Sequence, residues 1–330
     1  MSTFHTALMT PLATQISAHW TAPLALRFDA ALQAALPQLL ADEPDAVAAI
    51  AALLDAAAVT PDAVDLPALD RKIRKLQKQL RARACAVQPS LRVVERLDAL
   101  LASELPEIMD AAWAPPWLHA AEMRWLDKFN VDLGNYPRWQ AMLLEAVADV
   151  PDARIEDVAA GAAGFLLWLA QHCPRTDLHL TASDYSADYV ALGQKAVAAH
   201  GAGGLPLAVV QRDATQLAAL AGQVDLIVCT QATHHMPPEL VTRLLHQGLR
   251  AARHGVLIID VLRSAGAMLA ASVGTNLSTP APPLMIDAMQ SVRRGFLPAE
   301  FALLAHLAGA HDVRAYAQGP AYAVLRARRD

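Results

Sequence analysis

Two adjacent histidines, His234 and His235, stand just before Pro237-Pro238-Glu239, and an aspartate in a strongly apolar run, Asp260, follows them. A histidine titrates near neutrality, so either one is suited to take a proton from a hydroxyl group, with Asp260 a further candidate for the same chemistry. The alternative reading is that one of them bonds a backbone carbonyl and holds its loop, since neighbouring side chains do not easily point the same way. A second set is acidic: Asp157, Asp184 and Asp213 each close a short apolar run. Such carboxylates accept protons from hydroxyl and amino groups, although each alone reads equally well as a helix N-cap. Around the first of them, DVAAGAAGF (residues 157–165) lacks bulky side chains, so a ligand can approach that backbone closely, or a helix can pack tightly against it. Arg263, Arg293 and Arg294 could clamp a carboxylate or phenolate in bidentate fashion; Arg293 and Arg294 could equally be surface charge. Cys85, Cys173 and Cys229 are isolated, without CxxC spacing; no metal site is expected, and the pattern fits a reducing cytoplasm.

The elements that must position these residues come in two textures. Residues 1–104 are rich in Ala, Leu, Gln, Arg and Glu, with Pro at breaks and few β-branched runs, which predicts helices and no sheet. Within them, residues 70–84 (DRKIRKLQKQLRARA) put Ile73, Leu76 and Leu80 on one face; the basic remainder reads as a solvated face or as a surface for an anionic partner. Residues 105–140 stay helical and carry Trp113, Trp117, Trp125, Phe129, Tyr136 and Trp139, which either fill a core or line a groove. From 141 onward, strand-like runs at 154–158, 178–183, 207–211, 224–229 and 255–261 alternate with helical segments, and 311–316 and 320–327 read as a closing pair. Strands alternating with helices predict an α/β fold with a doubly wound, Rossmann-like, seven-stranded and mostly parallel sheet. In such a sheet ligands bind beyond the carboxyl ends of the strands, where Asp184 could take both hydroxyls of a ribose and Asp213 an adenine amino group or its own loop.

The ordered series RIEDVAAGAAGFLLWLA, LTASDYSADYVALGQKA, QRDATQL and VDLIVCTQATHHMPPELVTRLLHQGLRAARHGVLIIDVLRS resembles the class I S-adenosylmethionine-dependent methyltransferases over residues 105–330. PEIMD, FNVDLGNYPRW, the histidine pair, IIDVLRS and SVRRGFLPAEF are similar to a bacterial subgroup acting on small molecules. The resemblance implies S-adenosyl-L-methionine as cofactor, with Asp157, Ala159 and Gly161 at its methionine part, Asp184 and Tyr185 at the ribose, Asp213 and Ala214 at the adenine, and Thr230 beside them. It also implies a helical lid over 105–140, an α/β core over 141–330, and an acceptor between the aromatic helices and a cover at 264–296, near Tyr136, Arg263 and Arg293. The first motif departs from glycine-x-glycine-x-glycine, with Ala159 and Ala163 in the outer places. A positive φ at residue 159 would strain alanine by about 1 kcal/mol.

The formal charge of −5, from 27 basic and 32 acidic residues, supplies no broad positive field for a phosphate backbone, and CTQATHH lacks the Pro-Pro-aromatic clamp expected for a flipped base amine. Nucleic acid is therefore not the expected partner, and the absence of GxGxxG argues against a nicotinamide oxidoreductase. No apolar run reaches the roughly 20 residues of a membrane span. The expectation is O- or C-methylation of an aromatic or polyketide-like small molecule in the cytoplasm, with residues 1–104 suited to a homodimer or docking contact. The rival is a non-catalytic scaffold of the same fold.

Overall fold

The computed structural model describes residues 22–59, 65–111, 115–200, 204–278 and 282–329; Trp113 lies outside them. Four helices come first: α1 (Ala22–Asp42), α2 (Pro44–Val59), α3 (Leu66–Val87) and α4 (Arg92–Leu101). Helix α3 starts where Asp65 accepts the backbone N–H of Ala68 at 2.8 Å and Pro67 occupies the first turn, a cap that satisfies an otherwise orphaned donor. Its buried stripe of Leu69, Ile73, Leu76, Leu80 and Ala84 has the helical period read from the sequence. Helices α5 (Pro116–Asp132) and α6 (Asn135–Ala146) precede the sheet and are separated by a left-handed Gly134.

The sheet then alternates with helices: β1 (Arg154–Val158), α7 (Gly164–His172), β2 (His179–Asp184), α8 (Ala187–His200), β3 (Leu207–Gln211), β4 (Leu226–Thr230), α9 (Pro238–Ala251) and β5 (Val256–Val261). Helices α10 (Ala265–Ser278), α11 (Pro282–Arg294) and α12 (Pro298–Leu307) lead to the closing hairpin β6 (Asp312–Gln318) and β7 (Tyr322–Arg328). Strand order is β3-β2-β1-β4-β5-β7-β6, parallel except for β7, which runs antiparallel to both β5 and β6. The order reverses between β1 and β4, so the crevice for a ligand opens at their carboxyl ends.

Alternate residues of each strand point to opposite faces. On one face Ile155, Leu226, Val228, Leu257 and Ile259 pack against Trp139 and Leu143 of α6 and Phe165, Leu166 and Leu169 of α7. On the other, Ile227, Cys229, Val256, Ile258 and Leu325 meet α9 and α12, and this core runs on without a break into Phe28, Leu32, Ile50, Ile73 and Leu80 of the N-terminal helices. Helices α1 and α3 thus form an outer layer on α9 and α12. Helix α4 leaves Val93, Leu97 and Leu100 exposed.

Candidate active site

The switch point carries the acidic residues read from the sequence. Asp157 ends β1 but for one residue and takes a hydrogen bond from Thr230 Oγ1, at the end of β4, at 3.1 Å. It is 2% exposed and its Oδ1 has no hydrogen-bond partner; burial first, then the nearby acids Asp184 and Glu156, push its pKa up to about 8 despite the Thr230 contacts. Asp184, the last residue of β2, accepts the backbone N–H of Gly161 and of Ser186, both at 2.8 Å, and so ties the tip of β2 to the glycine loop. Burial raises its pKa, opposed by these N–H groups. Asp213 closes its own turn, accepting from Thr215 N–H, Thr215 Oγ1 and Gln216 Nε2, each at 2.8 Å, which is the loop-holding alternative. Ala214 is buried beneath that turn, and Tyr185 stands 76% exposed at the rim.

The glycine loop keeps its left-handed path despite its alanines. Ala159, Gly161 and Ala163 have φ of 53°, 54° and 63°, so two residues carry the strain that a side chain meets in this region. Gly161 and Gly164 allow α5 to lie close over the loop. A Cβ on Gly161 would stand 3.0 Å from Met123 Sδ, and one on Gly164 would stand 1.7 Å from Asp127 Oδ1.

Beside these loops lies a largely apolar cavity of about 340 Å³, walled by Trp125, Phe129 and Leu133 of α5, Ala267, Ala271 and Gly274 of α10, Leu284 and Val292 of α11, and Tyr322 of the closing hairpin. Gln231, directly after β4, lines it with φ at 50°; its Oε1 accepts from Asn130 Nδ2 at 3.1 Å, and Asn130 in turn accepts from Asn135. A strained residue held by a side-chain chain at a cavity wall is a mark of a functional loop.

The polar end of the cavity is built from two histidines. A short 3-10 turn, Thr233–His235, brings both rings inward, with centroids 4.2 Å apart, contrary to the expectation that neighbours diverge. Asp260, 0% exposed near the end of β5, accepts from Thr233 Oγ1 and from the His234 backbone N–H, and bonds His234 Nδ1 at 2.6 Å. His235 Nδ1 lies 3.0 Å from Asp110 Oδ1. Both Nε2 atoms face Glu107, at 3.4 Å for His234 and 3.9 Å for His235. Burial alone would lower the pKa of His235, but Glu107 and Asp110 raise it to about 9. Glu107 and Asp110 belong to the PEIMD segment, which Asp287 holds through the N–H groups of Ile108 and Met109 while Ser291 Oγ donates to Glu107. Arg294 locks the turn by donating to the carbonyls of His234 and His235, each at 2.7 Å.

Several expected residues lie elsewhere. Arg263 is buried in an ion cluster with Asp98 and Glu300, donating also to the carbonyl of Gly295, and does not line the cavity. Tyr136 is 3% exposed; its ring packs beside Trp139 and Phe165, and its hydroxyl donates to Asp127 at 2.6 Å, so it belongs to the core. Arg293 donates to the carbonyl of Leu101. Asp260 orients His234 and does not itself face the cavity, because β5 carries it under the turn. Glu107, Asp110, Glu122 and Gln231 were not singled out in sequence. For Glu107 and Asp110 the signal lay in PEIMD, where two acids share a short loop remote from the histidines, and only the fold joins them; Glu122 and Gln231 carried none.

A doubly wound sheet whose strand tips gather acids around a left-handed small-residue turn defines an α/β protein with its ligand crevice at the switch point. Residues 155–255 match the family model described as methyltransferase domain. No curated protein matches the chain. Among solved structures, it is similar to an S-adenosylmethionine-dependent methyltransferase from Aquifex aeolicus, with 17% identity over 57% of this chain and 88% of that one at a TM-score of 0.40. It is also similar to magnesium protoporphyrin IX methyltransferase from Synechocystis PCC 6803, crystallised with S-adenosylhomocysteine, with 16% identity over 61% and 86% at a TM-score of 0.42. Among the described residues no helix is long and apolar enough to cross a membrane.

Proposed function

We propose that the chain transfers a methyl group from S-adenosylmethionine to an oxygen or carbon of a small, largely apolar molecule, an aromatic or polyketide-like hydroxyl compound being the class the cavity suits. What carries the reading is the adjacency of two different sites, a strand-tip cradle (Gly161, Asp184, and Asp157 with its unpartnered buried oxygen) and an apolar cavity ending in His234 and Asp260. The residues fit the cofactor. Asp157 Oδ1 lacks a donor that an amino group would supply, and Asp184 retains lone pairs for ribose hydroxyls.

When bound, the cofactor supplies an electrophilic methyl group, and the protein has to align the acceptor and exclude water. Trp125 and Phe129, stacked at 5.0 Å, give an acceptor ring a flat wall. His234, its Nδ1 held by Asp260, presents Nε2 to the polar end, where an acceptor hydroxyl would lose its proton. Dimerisation through the N-terminal helices belongs to the same proposal, with the exposed Val93, Leu97 and Leu100 as its face; a monomer by sedimentation would remove it.

The test is a thermal-shift titration with S-adenosylhomocysteine. Ligand at about 100 times its Kd adds about 2.7 kcal/mol of stability, and Asp184→Ala should abolish the shift. Methyl transfer to phenolic acceptors should follow. No shift for the wild type, or turnover of amines and thiols alone, would overturn the reading.

A further inference from the structure

The polar end of the cavity has more structure than a lone general base needs. Each histidine has its Nδ1 on a carboxylate, Asp260 for His234 at 2.6 Å and Asp110 for His235 at 3.0 Å. With Nδ1 of each ring engaged by those carboxylates, each Nε2 is the atom left to meet Glu107, as an N–H donor when the ring is protonated or as a ligand when a cation takes that proton's place. The separations of 3.4 and 3.9 Å both exceed the roughly 2.9 Å of a direct N–H···O bond, so the three groups converge on a gap and do not close on one another. The three ligand atoms lie within 4.8 Å of one another, and Glu107 and His234 are buried.

A second observation comes from another element. Glu122 of α5 lines the same cavity, is 2% exposed, and neither of its carboxyl oxygens receives a hydrogen bond from an amide, amine or alcohol. Burial, then the neighbouring acids Asp287, Glu107 and Asp110, raise its pKa to about 8, so that Glu122 holds a proton toward Asp287 wherever no cation neutralises the group. We propose that Glu107, His234 and His235 bind one divalent first-row transition cation, with Asp260 and Asp110 as the outer carboxylates that fix the rings.

Two imidazoles and one carboxylate on one side of a cation leave positions open on the other, here toward the cavity. A carboxylate behind each coordinating ring is the usual outer-shell support, fixing the tautomer and raising the basicity of the ligand. Such a cation would hold and polarise an oxygen of the acceptor and make its hydroxyl release the proton to solvent more readily, so that with the cation bound His234 is a ligand and not the free base. This deepens the methyl-transfer reading and rests on it for the identity of the acceptor, whereas cation binding itself can be measured alone.

The experiment uses the full chain, stripped with chelator and titrated with Zn²⁺, Mn²⁺ or Co²⁺ by calorimetry, with the visible absorption of Co²⁺ as a second readout. One equivalent should bind. Glu107→Gln and His235→Ala should abolish it, and Asp260→Asn should weaken affinity about 10- to 100-fold. His179→Ala, an exposed control, should change nothing. The S-adenosylhomocysteine thermal shift should survive Glu107→Gln, which separates loss of the cation from loss of the cofactor site. No stoichiometric binding by the wild type, or binding undiminished in Glu107→Gln, overturns the proposal. Because the Co²⁺ spectrum is read on the wild type, a misfolded variant cannot hide the answer. If the cation binds but the cofactor shift is absent, the metal site stands and the methyl-transfer reading falls.

Discussion

At the scale of single residues, the glycine loop separates two kinds of tolerance. Ala159 and Ala163 occupy left-handed backbone, yet their methyl groups find space, whereas the Cβ of an alanine at 164 would overlap the Asp127 carboxylate at 1.7 Å. Gly164→Ala should therefore displace Asp127, break its bond with Tyr136 and cost about 1–3 kcal/mol by chemical denaturation. A loss below about 0.5 kcal/mol would mean that α5 does not rest on this loop. Asp29 supplies a pH-dependent case. Burial raises its pKa to about 6 even though Ala299 N–H and Gln33 donate to it. A carboxyl with a raised folded-state pKa contributes stability that is complete below the unfolded value of 3.8 and is lost as pH climbs through about 6. Asp29→Asn should leave stability unchanged below that window and raise it at pH 7 by up to about 3 kcal/mol, at 1.36 kcal/mol per pKa unit. Denaturant melts at pH 3.5 and 7 measure the difference.

At the scale of elements, one buried ion cluster binds four segments. Arg81 of α3, Asp98 of α4, Arg263 after β5 and Glu300 of α12 are joined by bonds of 2.5 to 3.0 Å. Burial would raise the pKa of Glu300, but Arg263 and Arg81 lower it to about 2. Its contribution is thus present above about pH 4.5 and is lost as pH falls toward 2. Arg263→Ala should leave Arg81 alone to balance Asp98 and Glu300 and cost about 3–5 kcal/mol, whereas truncation of an exposed arginine costs far less. Were Arg263→Ala to retain wild-type stability while losing acceptor affinity, its role would lie at the substrate after all. Helix α5 behaves differently. Trp125→Ala opens the cavity wall, so the expected outcome is a raised acceptor KM with an unchanged S-adenosylhomocysteine shift.

For the whole molecule, the continuity of the core across residue 104 decides what can be removed. Phe28, Leu32, Ile73 and Leu80 lie in one apolar cluster with Ile227, Ile258 and Phe301. A fragment of residues 105–330 should therefore expose the outer faces of α9 and α12 and fail to give a cooperative thermal transition, although all seven strands are within it. A fragment that melted cooperatively near the wild-type temperature would show the N-terminal helices to be dispensable.

Much of this was legible in the residues themselves. The seven strands were found to within a few residues because apolar β-branched runs between helical segments depend only on local composition, and Asp157, Asp184 and Gly161 could be located because strand ends in a doubly wound sheet must face one side. Asp213 and Tyr136 were ambiguous, since a loop-closing aspartate and a buried tyrosine look in sequence like ligand contacts. Only the tertiary structure decided that Arg263 is an internal counter-ion and that Glu107, Asp110 and Glu122 join His234 and His235. Those partners are 125 residues apart in the case of His235 and Asp110, and nothing local records such a separation. Periodicity sets which face of an element is buried; which charges then meet depends on how the faces stack, and that is settled by packing across the whole chain.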